Sequence, residues 1–339
     1  MPVTIRDVAK QLNLSITTVS RALDGYADVS DATRERVIRA AQEMGYVPDH
    51  IARQLRRHKS ETIGYILPAN TPRFTDPFFS TFIAGLGNEA TLHNYDLLVS
   101  TATPADESER QLYQRWVHAR RVDGFVLNRL HLHDWRVQYL AQEGFPFVTL
   151  ERTLDEFEYD SVEVNNMAGM VELIKHLADL GHRRIAYIGA SANLALEADR
   201  FAGFRAGLEA AGIPFVENLL TEGDLTRAGG YLATKSLLKR ISPPTAIACV
   251  NDLTAIGAIK AAIEHGFEVG KDLAITGFDG IEEAENTQPP LTTLSQPIYE
   301  IACQLVQLLL NRIDKKSSKS QRIQLSPQLI IRPSTTGKR

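Results

Sequence analysis

The chain has 339 residues, 44% of them apolar and 23% charged, with 37 Lys and Arg against 41 Asp and Glu. These values are ordinary for a soluble protein and allow two or three compact units with a sizeable core. No run is long and apolar enough to span a bilayer, and no basic start followed by an apolar run marks a signal peptide, so a cytoplasmic location is expected. The two cysteines, Cys249 and Cys303, lie in apolar contexts that read as core positions of a reducing compartment, not as a disulfide or metal pair. Charge is uneven: through Lys59 ten Lys and Arg face seven Asp and Glu, whereas the remainder holds 27 against 34. The small basic surplus sits where phosphates would be met.

The first predicted helix places Ile5, Val8, Ala9 and Leu12 on one face at spacings of three and four. Asn13, tolerant of a left-handed backbone, ends it, and Ser15 caps a second, short helix. In that helix Val19, Ala22 and Leu23 face inward, while Ile16, Thr17, Ser20 and Arg21 point outward. Two short helices with a tight polar joint suit insertion of the second into a DNA major groove. Arg21 would reach guanine O6 and N7, and the methyl groups of Ile16 and Thr17 a thymine methyl. A third helix opens at Ser30, buries Val37, Ala40, Ala41 and Met44, and stops at Gly45. A segment from Tyr46 to Arg57 follows, with Pro48 at a natural first helical position and a basic end.

With the start pattern Thr4-Ile5-Arg6-Asp7-Val8-Ala9 and with Thr18-Val19-Ser20-Arg21-Ala22-Leu23, the whole chain resembles the lactose-repressor/galactose-repressor (LacI/GalR) family of bacterial transcription regulators. The resemblance implies an all-α helix-turn-helix head at 1–46, a hinge helix at 47–60 that orders on operator binding, and a core at 61–339. Thr4, Ser15, Ile16, Thr17, Thr18, Ser20, Arg21 and Ser30 are the implied DNA contacts of the head. Leu55 would wedge between base pairs in the minor groove, with Ala52 and Arg53 on the same face. Asp49 departs from the asparagine common there in the family. One head reads one half-site, so a homodimer on near-palindromic double-stranded operator DNA is expected. No leucine-heptad tail follows Arg332, which argues against tetramers.

From Thr62 onward strand-like and helix-like segments alternate. Residues 62–67, 95–99, 122–127 and 147–150 are near-continuous apolar runs, as doubly buried parallel strands require, and 184–189, 246–250 and 273–278 repeat the scheme. This predicts a doubly wound α/β fold built twice, with ligands at the carboxyl ends of the strands. The resemblance turns this into the two lobes of a type I periplasmic-binding-protein-like core. The first lobe would take about 61–161 and 295–320, the second about 162–291 and 321–333, with crossings near Ser161, at 291–295 and near Ser320. The run 315–320 reads as a solvated turn.

Polar residues at strand ends are the candidates for effector contact, namely Asp76, Asn128, Glu151, Arg200, Asn251, Asp279 and Gln296, with Phe79 as an aromatic cover. Each matches an effector-contacting place in the family once Asn251-Asp252, Gly277-Phe278-Asp279 and 290–296 are laid on its pattern. Such a lining suits a sugar: carboxylates accept from adjacent hydroxyls, Arg200 donates in a fork, and an aromatic ring covers an apolar sugar face. A purine would call for stacking on both faces, and Leu225 stands where many relatives carry an aromatic residue.

Enzyme readings find no support in the motifs. No strand is followed by G-x-G-x-x-G, Ser191 lacks the flanks of a nucleophile elbow, and His176 with His182, like His131 with His133, has poor ligand spacing. The expectation is therefore a sugar-responsive repressor without a cofactor, metal or membrane partner. A purine- or other metabolite-responsive, corepressor-dependent regulator is the alternative.

Overall fold

A computed structural model describes residues 3–46, 59–68, 76–103, 106–315 and 319–336. The chain divides into two compact units, Met1–Ser60 and Glu61–Arg339. The expected hinge, with Ala52, Arg53 and Leu55, lies outside the described residues.

The first unit holds α1 (Ile5–Leu12), α2 (Ile16–Leu23) and α3 (Asp31–Glu43). Asp7 starts α1 by accepting from the Thr4 backbone N–H at 2.9 Å and from its hydroxyl at 2.7 Å. Asn13 ends it at φ 51°, ψ 45°, the left-handed geometry that makes a tight joint possible. Ser15 and Ser30 cap α2 and α3 by accepting from Thr18 N–H and Thr33 N–H. Val8, Val19, Ala22, Val29, Val37 and Ala40 form the small core.

The second unit contains two six-stranded sheets among its described residues. The first lobe is built from β1 (Thr62–Pro68), α4 (Pro77–Leu92), β2 (Asp96–Ala102), α5 (Glu107–His118), β3 (Gly124–Leu127), α6 (Trp135–Gln142), β4 (Phe147–Leu150), β5 (Asp160–Val164), α11 (Ile298–Ile313) and β11 (Arg322–Leu325). Its sheet has the order β11-β5-β4-β3-β1-β2, all parallel. The second lobe holds α7 (Asn166–Asp179), β6 (Ile185–Gly189), α8 (Ala195–Ala210), β7 (Leu220–Glu222), α9 (Arg227–Leu238), β8 (Ala246–Cys249), α10 (Asp252–Glu264), β9 (Ala274–Asp279), β10 (Thr292–Ser295), β12 (Gln328–Ile330) and α12 (Pro333–Thr336). Its order is β12-β10-β9-β8-β6-β7, with only β10 and β12 antiparallel.

The crossings lie a few residues later than expected. Ser161 is inside β5, which pairs with β4, so the chain leaves the first lobe at Asn165. It returns after Ser295, and because β11 pairs with β5 the last crossing follows Leu325, not Ser320. The lobes meet directly at one edge. Leu132 N–H donates to Asn193 C=O at 2.8 Å, Ala195 N–H to Leu130 C=O at 2.9 Å, and the Asn193 side chain to His131 Nδ1 at 2.7 Å.

Candidate functional site

On α2 the outward face carries Ser15, Thr17 and Arg21, with Ile16 left 45% exposed. An apolar side chain held in water at a helix N-terminus is what a thymine-methyl contact needs. Ser20 departs from expectation: it is buried, not outward, and its hydroxyl donates to Asp24 at 3.3 Å. Thr4, Ser15, Thr18 and Ser30 spend their hydroxyls on helix starts. Arg21 is half-exposed, paired with Asp28 at 2.7 Å and 5.1 Å from the Tyr26 ring centre. An exposed pair of this kind is worth at most about 1 kcal/mol, so a base or phosphate can displace it.

In the core, the carboxyl ends of β3, β4, β8 and β9 converge on one cleft between the lobes. Asp76, Asn128, Glu151, Arg200, Leu225, Asn251, Asp279 and Gln296 line it together, with Phe78, Arg129, Leu150 and Leu196. Phe79 is the exception: at 3% exposure its ring belongs to the first lobe's core, and Phe78, one helical step round α4, faces the cleft instead. Arg129 was not singled out from the sequence, although it directly follows Asn128. It bonds Asp76 at 2.8 Å and lies 4.6 Å from the Phe79 ring centre.

The lining residues differ in how much bonding capacity they keep. Asp76 caps α4 through Phe78 N–H and takes Arg129, and Asn251 caps α10 while donating to Leu225 C=O at 3.1 Å. Arg200 gives Nε to Asn166, Nη1 to Val250 C=O and Nη2 to Asp279 at 3.4 Å, leaving one N–H on each terminal nitrogen. Gln296 donates to Asp279 at 2.6 Å. By contrast Asn128 Nδ2 and Oδ1 and Glu151 Oε2 are buried without a well-formed hydrogen bond among the described residues, and the Tyr65 hydroxyl beside Asn128 and the Asn166 amide beside Glu151 are unmatched in the same way. Buried groups left unmet are costly, and a ligand would meet them.

Burial raises the carboxyls here. It pushes Glu151 up to about 7, with Arg200 drawing it back in part, and it raises Asp76 against the pull of Arg129. Asp279 in the cleft and its neighbour Asp252 behind it are both raised by burial, Asp279 less so because Arg200 faces it. Asp252 accepts from Gly280 N–H and Ile281 N–H at 2.8 and 2.9 Å and so fixes the turn that presents Asp279. Four lining residues hold left-handed φ without being glycine: Arg129 (47°), Glu151 (76°), Leu225 (65°) and Asp279 (121°). Each such residue costs of order 1–3 kcal/mol, a strain that collects at working sites.

Other candidates have structural partners. His176 bonds Thr335, His182 bonds Thr245, Cys249 is buried, and Cys303 is half-buried with its thiol toward Gly85 C=O. No group of three or more metal-ligating side chains, and no helix long and apolar enough to cross a membrane, occurs among the described residues.

A helix-turn-helix head and a two-lobed α/β clamp with a polar cleft, carried on one chain, define a ligand-responsive DNA-binding transcription regulator. The chain belongs to the lacI family of bacterial regulatory proteins. A family profile of that description matches residues 4–49, and a periplasmic binding protein-like domain matches 174–335. The HTH-type transcriptional repressor CytR of Escherichia coli (strain K12) is 34% identical over 333 residues, covering 98% of this chain and 96% of that protein. Among solved structures, a transcriptional regulator CelR-cellobiose complex is 30% identical with TM-score 0.77, covering 98% of this chain and 99% of that one. The lac repressor dimer bound to operator and the anti-inducer ONPF is 28% identical with TM-score 0.84, covering 99% of this chain and 100% of that one.

Proposed function

We propose that the protein is a cytoplasmic homodimeric repressor that holds a near-palindromic operator, and that a small carbohydrate in the interlobe cleft releases it. The observation that carries the effector reading is the set of buried polar atoms of Asn128 and Glu151 that form no well-formed hydrogen bond within the protein. One donor and two acceptors, framed by Phe78, Leu150, Leu196 and Leu225, suit a ligand whose hydroxyls both give and take on an otherwise apolar ring. The relative solved with cellobiose supports the same class.

On the DNA side, α2 would enter the major groove with Ile16 and Thr17 leading and Arg21 exchanging Asp28 for a guanine edge. Leu55, with Ala52 and Arg53, keeps the minor-groove role its sequence position implies. In the cleft, about 40 Å³ of space remains, room for a few waters at roughly 10–15 Å³ each. A sugar therefore enters only as the lobes part or the lining rearranges. It changes operator affinity by binding one lobe arrangement better than the other.

Titrating operator binding by gel shift against mono- and disaccharides tests this. At least one should weaken operator binding, and Asp279→Ala should lose that response while still binding operator. A panel in which no sugar acts and a nucleobase does would overturn the carbohydrate reading.

A further inference from the structure

The cleft does not end at its inner chamber. Past Arg129 and Leu225, which border both spaces, lies a second cavity of about 570 Å³. Ligand pockets for small molecules fall at about 300–1,000 Å³, so this space fits a ring that the 40 Å³ inner chamber does not. Trp135, His131, Asp134 and Arg136 line it from the first lobe, Ser191 and Asp224 from the second.

The chamber is firmly built. Asp134 and Arg136 are 1% and 4% exposed and paired at 2.7 Å, with Glu109 at 3.8 Å from Arg136. Burial opposes charge on Asp134, yet Arg136 prevails and holds the carboxyl below its ordinary value. The half-buried Trp135 ring is set by Arg110, 4.4 Å from its centre, and by Tyr113 edge-on at 5.5 Å. Asp224 is fixed by Thr226 N–H and hydroxyl at 3.0 and 2.6 Å. The bridge between His131 and Leu194 joins the two walls. On its other side the cleft widens past Asp76 and Gln296 into a depression of about 870 Å³, but every charged residue there is acidic: Asp76, Glu282, Glu283 and Glu300. The Trp135 side instead combines an indole, imidazoles and both signs of charge, the mixture a sugar ring uses with its apolar face and hydroxyl rim.

We infer that the Trp135 cavity is the subsite for the second ring of a disaccharide or glycoside, whose first ring meets Asn128 and Glu151. This rests on the saccharide reading of the cleft and narrows it to ligands of two units.

The chain has two tryptophans, and Trp116 is buried in the first lobe. In full-length protein carrying Trp116→Phe, indole emission therefore reports Trp135 alone. Calorimetry would compare glucose and galactose with cellobiose, maltose, lactose and sucrose. The expected result is a disaccharide that binds tighter than its component sugars and shifts Trp135 emission. Trp135→Ala should lower the ratio of disaccharide to monosaccharide affinity about tenfold, the worth of one lost ring contact. Ser191→Phe, made at an exposed position on the facing wall, should lower the same ratio by filling the chamber, and it decides the matter if Trp135→Ala does not fold. Monosaccharides binding as tightly as disaccharides, or a ratio unmoved by the folded variants, would overturn the subsite and leave the saccharide reading standing. Binding of no saccharide at all would overturn both.

Discussion

Glu151 is 8% exposed, sits at φ 76°, and has one carboxylate oxygen without a well-formed hydrogen bond among the described residues. Burial holds its carboxyl near 7 against an ordinary 4.5, so the folded protein binds this proton more tightly than the unfolded chain does. Its contribution to stability is therefore complete below about pH 4.5 and is lost as pH rises through about 7. Glu151→Gln should raise the melting temperature at pH 8 and leave it unchanged at pH 4, the gain being at most about 3.5 kcal/mol at about 1.4 kcal/mol per pKa unit. Thermal melts of parent and variant across that range check this, and a difference independent of pH contradicts it. The sequence shows Asp76, Asn251 and Glu151 alike, as polar residues after apolar strands. Only the fold separates Asp76 and Asn251, spent on capping α4 and α10, from Asn128 and Glu151, which keep capacity for a ligand. The exchange of Phe79 for Phe78 is likewise beyond the apolar pattern, since both rings are equally apolar and one helical step decides which is covered.

At the scale of elements, α9 and α10 touch backbone to backbone. A Cβ on Gly230 would stand 2.1 Å from Thr254 C=O, and one on Gly257 would stand 2.0 Å from Arg227 C=O. Neither obstacle is a flexible side-chain end, so the helices must separate to admit a methyl group. Gly257→Ala should therefore lower the melting temperature, by an amount typical of core overpacking, about 1–3 kcal/mol. An unchanged melt in a folded variant would show that the pair can slide apart freely. These helices flank the strand ends that present Leu225 and Asn251, so the same change should disturb effector binding before operator binding. Strands β1, β3, β4, β6, β8 and β9 were legible because they are apolar runs buried on both faces, whereas 95–99, expected to be doubly buried as well, belongs to the edge strand β2 and stays partly exposed. The short polar strands β5, β10, β11 and β12 carry Asp160, Thr292, Thr293, Arg322 and Gln328. Without a hydrophobic run they give no strand signal in the sequence, and the crossings they bracket were misplaced for that reason.

For the whole molecule, the two-lobed architecture and the head were readable from periodicity and from the family-like start, because both rest on long repeated patterns. The closed state of the cleft was not, since it depends on contacts between distant segments: residues 130–132 against 193–195, and Asp279 against Arg200 and Gln296. With about 40 Å³ left in the inner part of the cleft, the proposed sugar would be admitted there by a shift in the balance of lobe arrangements. If that balance is what the operator also senses, the two affinities are tied by a single coupling energy. The decisive measurement is the dissociation constant of an active saccharide, taken by calorimetry with and without saturating operator duplex. Operator should weaken saccharide binding by the same factor by which saturating saccharide weakens operator binding. A saccharide that binds equally well in both conditions would show that the cleft is not coupled to DNA and that the protein is not released from its operator by a sugar.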